Sequence, residues 1–207
     1  MQEILPGLYH WSTFHEPIGT MVSSYYYEPA KLAIDPKIPE QGLDALPSPP
    51  EQVVLTTGLH DRDAAEFAAA FNAPIRVPAP ALERLGDSLA AEPFRDGEDI
   101  APGVRAIAIG QIAPDEYALH ISVAEGALAF ADGLINYGGL GFVPDNLLGD
   151  DAERVKRGLI EALRGLLALE FDHLLFAHGD PLIGGGKAAL RAFVQREATR
   201  TPRSIHE

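Results

Sequence analysis

Three side chains with metal-binding or acid–base chemistry each follow an apolar, strand-like run of the sequence: Asp61, Asp132 and His178. Carboxylate oxygens and imidazole nitrogens bind divalent metals, and a loop held by a rigid strand fixes such groups in position. Each of the three residues is therefore a candidate metal ligand. Asp61 is also the predicted catalytic residue.

The stretch TTGLHDRDA, residues 56–64, lies where a predicted strand gives way to a helical pattern. Many α/β enzymes place their chemistry at such a junction. The stretch carries only one histidine, His60, together with an arginine, Arg62. Because the sequence contains no cysteine, any bound metal must use histidine and carboxylate ligands.

The order of these elements resembles the metallo-β-lactamase-fold superfamily of hydrolases. That family has an early strand ending in Asp, a T-H-x-H-x-D-H loop, a later G-H, a strand ending in G-D and a final strand ending in H-G. The corresponding segments of this sequence, in the same order, are residues 32–36, 56–62, 110–111, 131–132 and 178–179. The resemblance spans nearly the whole chain, and it depends on order and spacing because no single motif is intact.

The resemblance implies a divergent member with a degraded metal-binding motif. Residues that do not bind metals stand at most of the histidine positions: Thr57, Leu59, Arg62 and Gln111. The remaining set of two carboxylates and one imidazole is compatible with a single Zn, Fe or Mn ion. His60 falls between the ligand positions and is predicted to be a loop or partly buried histidine. These five residues are predicted to lie in or beside the pocket.

Arg62 suggests a second interpretation of the site. A guanidinium is always charged, repels a dication and binds carboxylates bidentately. We hypothesise that Arg62 replaces the metal by pairing with Asp61 and Asp132. Two functions therefore stay open: a hydrolase that uses one divalent metal to activate water against an ester, thioester or similar bond, and a metal-free, non-catalytic protein whose pocket binds a small molecule or a partner. The family's binuclear zinc mechanism is not expected.

Hydrophobic patterns predict four helices. Apolar residues recur at i, i+3, i+4 and i+7 within residues 64–71, which is typical of one helix face. The longest helix is predicted to start near Asp150, an N-cap with Glu153 three residues later. Two further helices are predicted at residues 81–85 and 187–197.

Short runs rich in aromatic and β-branched residues predict the strands. The turn Glu125-Gly126 predicts a hairpin between the two strands that flank it. With the resemblance, this order implies an α/β protein: a four-layer αβ/βα sandwich of two mixed β-sheets with helices on the outer faces. The predicted strands cover residues 7–11, 21–27, 31–35, 52–56, 75–77, 104–109, 117–123, 127–131 and 173–177.

Composition limits the class of protein. A chain of 207 residues is expected to form one domain, residues 1–207. Its net charge of -14, with 30 acidic against 16 basic residues, argues against nucleic-acid and anionic-membrane partners, and a small-molecule substrate or ligand stays open. No apolar run reaches the ~18 residues of a membrane span, and the N-terminus lacks the basic region of a secretory signal, so a cytoplasmic location is expected. The oligomeric state is not predicted.

Overall fold

The computed structural model describes residues 1–200, which form two β-sheets packed face to face. The first sheet has seven strands arranged in chain order. Strands one to four pair antiparallel and strands four to seven pair parallel, so the sheet is mixed. They are β1 (Gln2–Leu5), β2 (Leu8–His15), β3 (Thr20–Tyr27), β4 (Leu32–Ile34), β5 (Gln52–Val54), β6 (Ile75–Pro78) and β7 (Ala91–Phe94).

The second sheet has five strands, and a separate two-stranded ribbon follows its hairpin in sequence. In chain order these are β8 (Asp99–Ala101), β9 (Val104–Ala108), β10 (Tyr117–Ile121), β11 (Ala127–Phe130), the ribbon β12 (Ile135–Asn136) and β13 (Leu140–Gly141), and β14 (His173–Phe176). The spatial order is β14-β11-β10-β9-β8. The predicted β10–β11 hairpin is confirmed, and β14 pairs parallel with β11.

Four helices cover the sheets: α1 (Ala64–Phe71), α2 (Ala81–Leu85), α3 (Ala152–Leu166) and α4 (Gly186–Arg200). The predicted cap of α3 is wrong by one residue. Asp151, not Asp150, is the N-cap, because its carboxylate accepts a hydrogen bond from Arg154 N at 2.9 Å. Among the described residues, no helix is long and apolar enough to cross a membrane.

Three apolar layers hold the sandwich together. Between the sheets, Ile34 of β4 and Leu119 of β10 belong to one buried cluster. Outside the first sheet, Phe67 of α1 is fully buried, and outside the second sheet Leu159 of α3 and Phe193 of α4 are buried. This arrangement confirms the predicted four-layer sandwich. Strands β1, β7 and β8 were not predicted, because each is a short sheet-edge strand with exposed residues that break the apolar alternation.

The two sheets are also joined by hydrogen bonds next to the end of β14. The Tyr25 hydroxyl donates to Phe176 O and accepts from Phe176 N, both at 2.9 Å. At Ala177, the residue just after β14, the carbonyl oxygen accepts a hydrogen bond from Ser23 N at 2.9 Å. These contacts fix the position of the residue that follows, His178, relative to the first sheet.

Candidate active site between the two sheets

Four polar side chains meet where four strands end. Asp35 follows β4, and His60 lies in the 3-10 turn Gly58–His60 after β5. Asp132 and His178 lie just beyond β11 and β14 in the second sheet. Both strand pairs, β4/β5 and β11/β14, are parallel, so their carboxyl ends lie at one edge of each sheet. This topology brings the four side chains together.

One oxygen of Asp132 is the centre of this cluster. Asp132 Oδ1 lies 3.1 Å from His178 Nε2 and 3.5 Å from His60 Nε2. One potential ligand atom from each of the three residues lies within 4.8 Å of the other two. The imidazole rings of His60 and His178 meet edge to face, with centroids 5.7 Å apart. Both histidines therefore present a nitrogen to the same carboxylate.

Asp35 orients His60 from the other side. Its Oδ2 lies 2.9 Å from His60 Nδ1, and its Oδ1 accepts a hydrogen bond from Thr56 N at 2.8 Å. Asp35 is 3% exposed and His60 is 4% exposed, so this pair is shielded from water. With Nδ1 engaged by a carboxylate, His60 directs Nε2 toward Asp132.

The buried charges of the cluster compensate one another. Burial and the Arg62 charge both oppose protonation of His60, but Asp35 and Asp132 outweigh them and raise its pKa to about 9. Burial alone would raise the pKa of Asp132, yet the neighbouring His60 and His178 lower it well below its ordinary value. The pKa of Asp35 is lowered in the same way, against its own burial, by His60 and Arg62.

Arg62 lies beside the cluster but does not pair as predicted. Its Nη1 donates to two backbone carbonyls, Ser23 O and Asp35 O, each at 2.7 Å. Its Nη2 is buried and has no hydrogen-bond partner in the described part of the chain. Within residues 1–200 it forms no ion pair shorter than 4.0 Å, so the predicted bidentate pairing with Asp61 and Asp132 is wrong. Arg62 has a left-handed backbone, φ 40°, and its Nη1 is occupied by carbonyls of β3 and of the residue after β4 instead of by carboxylates.

The other predicted site residues lie around the cluster and not in it. Asp61 is exposed, and its carboxylate accepts a hydrogen bond from Arg62 N at 2.8 Å, so it does not join Asp132 and His178. The 3-10 turn turns His60 inward and the following residue outward. Thr57 is buried and donates to Asp115 Oδ2 at 3.1 Å, away from the cluster.

Gln111 also lies outside the cluster. Its Nε2 donates to Ile109 O at 3.1 Å, and its side chain packs against Gly158 of α3. A β-carbon added at Gly158 would lie 1.9 Å from Gln111 Oε1, so the glycine makes room for this side chain. The neighbouring Ile112, rather than Gln111, lines the cavity described next.

A cavity of about 650 Å³ opens onto the cluster. His60, Asp132, His178 and Arg62 form its polar end, and Leu59 lies at its rim. Volumes of about 300–1,000 Å³ are usual for small-molecule sites. The site therefore has room for a substrate or ligand beside the polar cluster.

Glu116 is a buried acid near the cluster that the sequence did not reveal. It is 2% exposed, and its Oε2 accepts a hydrogen bond from Ile112 N at 3.3 Å. Its Oε1 has no hydrogen-bond partner among residues 1–200. Burial first, and then the negative charge of Asp132, raise the pKa of Glu116 to about 7. The lack of a side chain at Gly133, next to Asp132, allows this close approach.

The residues of the cluster fit one divalent metal ion. Two imidazole nitrogens and one carboxylate oxygen are the donor set of a well-known type of catalytic zinc site. Ligand atoms ~2.0–2.2 Å from a tetrahedral zinc lie about 3.3–3.6 Å apart, close to the 3.1 Å and 3.5 Å that separate Asp132 Oδ1 from the two histidines. The carboxylate of Asp35 behind His60 is the usual support for a metal-binding histidine.

Comparison with known proteins identifies the fold. No protein-family model and no curated protein matches the chain. Among solved structures, a metallo-β-lactamase family protein from Thermus thermophilus is similar at 18% identity, with 96% of this chain and 81% of that chain covered and a TM-score of 0.64. A metallo-β-lactamase superfamily protein from Sulfolobus tokodaii is similar at 14% identity, with 97% and 90% covered and a TM-score of 0.60.

A B3 metallo-β-lactamase with an active-site glutamic acid is also similar, at 14% identity and a TM-score of 0.65, with 100% of this chain and 91% of that chain covered. At these identities the likeness defines the fold rather than the activity. The chain has the metallo-β-lactamase fold, as the order of its motifs predicts.

Proposed function

We propose that this protein is a metal-dependent hydrolase that binds one divalent ion through His60, Asp132 and His178. The observation that carries the proposal is the position of Asp132 Oδ1 within 3.5 Å of a nitrogen of each histidine, at the polar end of a cavity. Two of these three residues are ligands predicted from the family resemblance. The third, His60, takes the role assigned to Asp61.

Such an ion would polarise a substrate carbonyl and make water a better nucleophile. The residues of the chain would prepare the site for that chemistry. Asp35 holds the ring of His60 with Nε2 directed into the site, and the contacts of β14 with β3 fix His178. The buried guanidinium of Arg62 compensates part of the carboxylate charge, which favours weaker metal binding than an uncompensated site would give.

The test is a calorimetric titration of EDTA-stripped, dialysed protein with Zn²⁺ and with Mn²⁺. We expect one ion per chain for the wild type and loss of binding in His178→Ala and Asp132→Asn. Asp35→Asn should weaken binding by about 10–100-fold, because it removes the support of a ligand rather than a ligand. His120→Ala is the matched control, since His120 Nε2 donates to the carbonyl Glu170 O and the histidine lies outside the cluster.

Failure of the wild-type protein to bind either ion would overturn the proposal. Binding that survives in both ligand variants would overturn the assignment of the ligands. Hydrolysis of ester and thioester substrates should then follow metal content, rising when stoichiometric metal is restored to the stripped protein and staying at background in His178→Ala.

A second candidate function is supported by the charge balance of the cluster. Protonated His60 and Arg62 offset the charges of Asp35 and Asp132 with no metal present. On this basis the chain is a metal-free binding protein that retains the cavity. The same titration separates the two candidates, because only the hydrolase requires metal binding.

A further inference from the structure

The cavity has one polar end, and its remaining wall is largely apolar. His60, Arg62, Asp132 and His178 supply the polar end. Of the other lining side chains within residues 1–200, only His15 and Tyr137 are ionisable. Burial first, and then the charges of Lys37 and Arg62, lower the pKa of His15, which favours its neutral form. Charged groups are therefore concentrated at one end of the cavity.

The apolar wall comes from four separate elements. Val22 belongs to β3, Ile135 to β12, Val143 follows β13, and Ile112 precedes β10. All are buried or half-buried. A second charged group on a ligand would find no partner along this wall, and its desolvation would oppose binding.

Exposed apolar side chains gather at the mouth of the same cavity. Ile18, Leu59, Tyr137 and Leu147 line it and are 56%, 48%, 59% and 59% exposed. They are half of the eight large apolar side chains exposed to this degree in residues 1–200. Single exposed apolar residues are ordinary, but such a concentration around one opening marks a surface that binds an apolar group.

We propose that the substrates are esters or thioesters of short- to medium-length acyl chains. The acyl chain lies along the apolar wall, and the carbonyl lies beside Asp132 and the two histidines. In the reaction the oxygen of water bonds to the acyl carbon and the bond to the leaving oxygen or sulfur breaks. The leaving group takes a proton, and the products are a fatty acid and an alcohol or thiol. The hydrolysis step rests on the proposed function. The binding of the acyl chain in the cavity does not.

The test measures binding of straight-chain fatty acids from butanoate to decanoate by calorimetry, in EDTA and below their micelle concentrations. The carboxylate is constant across the series, so only the apolar contact varies. We expect binding to tighten about fourfold per added methylene, the ratio that corresponds to about 0.8 kcal/mol for one buried CH₂, until the chain fills the cavity.

One variant and its control test whether the acyl chain of the ligand binds in this cavity. Leu147→Ser should weaken octanoate binding about fivefold and leave butanoate binding nearly unchanged. Ile183→Ser is the matched control, because Ile183 is 42% exposed but does not line the cavity. An affinity that stays flat across the series, or an equal loss in both variants, would overturn the inference.

The outcome is independent of the metal titration. A chain-length trend in a protein that binds no metal would support an acyl-binding cavity and reject the hydrolase. Metal binding without the trend would support the hydrolase and reject acyl chains as its substrates.

Discussion

Replacement of Arg62 by alanine should cost a large share of the stability of the metal-free protein. Nη1 donates to Ser23 O and Asp35 O at 2.7 Å, and hydrogen bonds from a charged group are worth about 1.5–3 kcal/mol each. The variant also removes a positive charge that interacts with both Asp35 and Asp132. We expect a loss of about 3–5 kcal/mol, as for one member of a buried charge network. The strain of the left-handed backbone at φ 40° does not contribute to this loss, because arginine and alanine would both adopt that conformation at position 62.

Urea denaturation in EDTA, followed by far-UV circular dichroism, measures this loss as a change in the free energy of unfolding. Arg105→Ala is the matched control. Arg105 forms two hydrogen bonds with Asp99, at 2.8 and 3.0 Å, but its side chain is 55% exposed, so its loss should cost at most ~1 kcal/mol. Arg62→Lys should fall between the wild type and alanine, because lysine keeps the charge but not the planar fork.

A loss within ~0.5 kcal/mol for Arg62→Ala, the range of an ordinary surface substitution, would refute this reasoning. So would equal losses for Arg62→Ala and Arg105→Ala. Either result would mean that the guanidinium does not compensate the buried carboxylates and that His60 alone balances them.

Two further predictions concern Glu116 and the cap of α3. Folding raises the pKa of Glu116 from 4.5 to about 7, so its contribution to stability is present below pH 4.5 and is lost as pH rises through about 7. Glu116→Gln should therefore be more stable than the wild type by about 3 kcal/mol at pH 8, since each pKa unit corresponds to about 1.4 kcal/mol, and equally stable near pH 4. Urea denaturation in EDTA at both pH values tests this, and a difference that does not change with pH contradicts it. Asp151→Ala should cost about 1 kcal/mol in thermal or urea unfolding, whereas its neighbour Asp150→Ala should stay within ~0.5, and equal losses would contradict the assigned cap.

The layers of the fold were predictable because their signals are local and repeated. The 3.6-residue pattern of residues 64–71 gives α1, and the apolar run at 173–177 gives β14. The order of motifs then implied the sandwich. Helix ends were less certain, because adjacent Asp150 and Asp151 are both suitable caps and only the backbone geometry decides between them.

The site was predicted only in part, since its geometry depends on one turn. Asp132 and His178 meet because β11 and β14 are parallel neighbours, which the positions of their motifs already suggest. His60 joins them because the 3-10 turn rotates it inward and leaves Asp61 in solvent. Alignment by family position assigns the ligand role to Asp61. It cannot show that the 3-10 turn directs the preceding residue, His60, into the site instead.

One signal for His60 was present in the sequence. Asp35 ends an early strand and Thr56 ends the next one along the chain, and parallel neighbours bring such residues together. A buried carboxylate at that position needs a donor or a cation, and His60 is the nearest candidate in the following loop. Glu116 had no comparable signal, because its environment comes from residues distant in sequence.

The contacts along β14 have a consequence for self-association. In a parallel strand, alternate residues direct both N–H and C=O to the same side, so Leu174 and Phe176 face the open edge of the second sheet. Leu174 exchanges both backbone hydrogen bonds with Leu182, and Phe176 exchanges both with the Tyr25 hydroxyl. The Tyr25 hydroxyl thus makes the two hydrogen bonds that a neighbouring strand would otherwise make with Phe176. Among residues 1–200, the edge along β14 therefore offers no free backbone groups to a second chain, which protects this buried strand against aggregation.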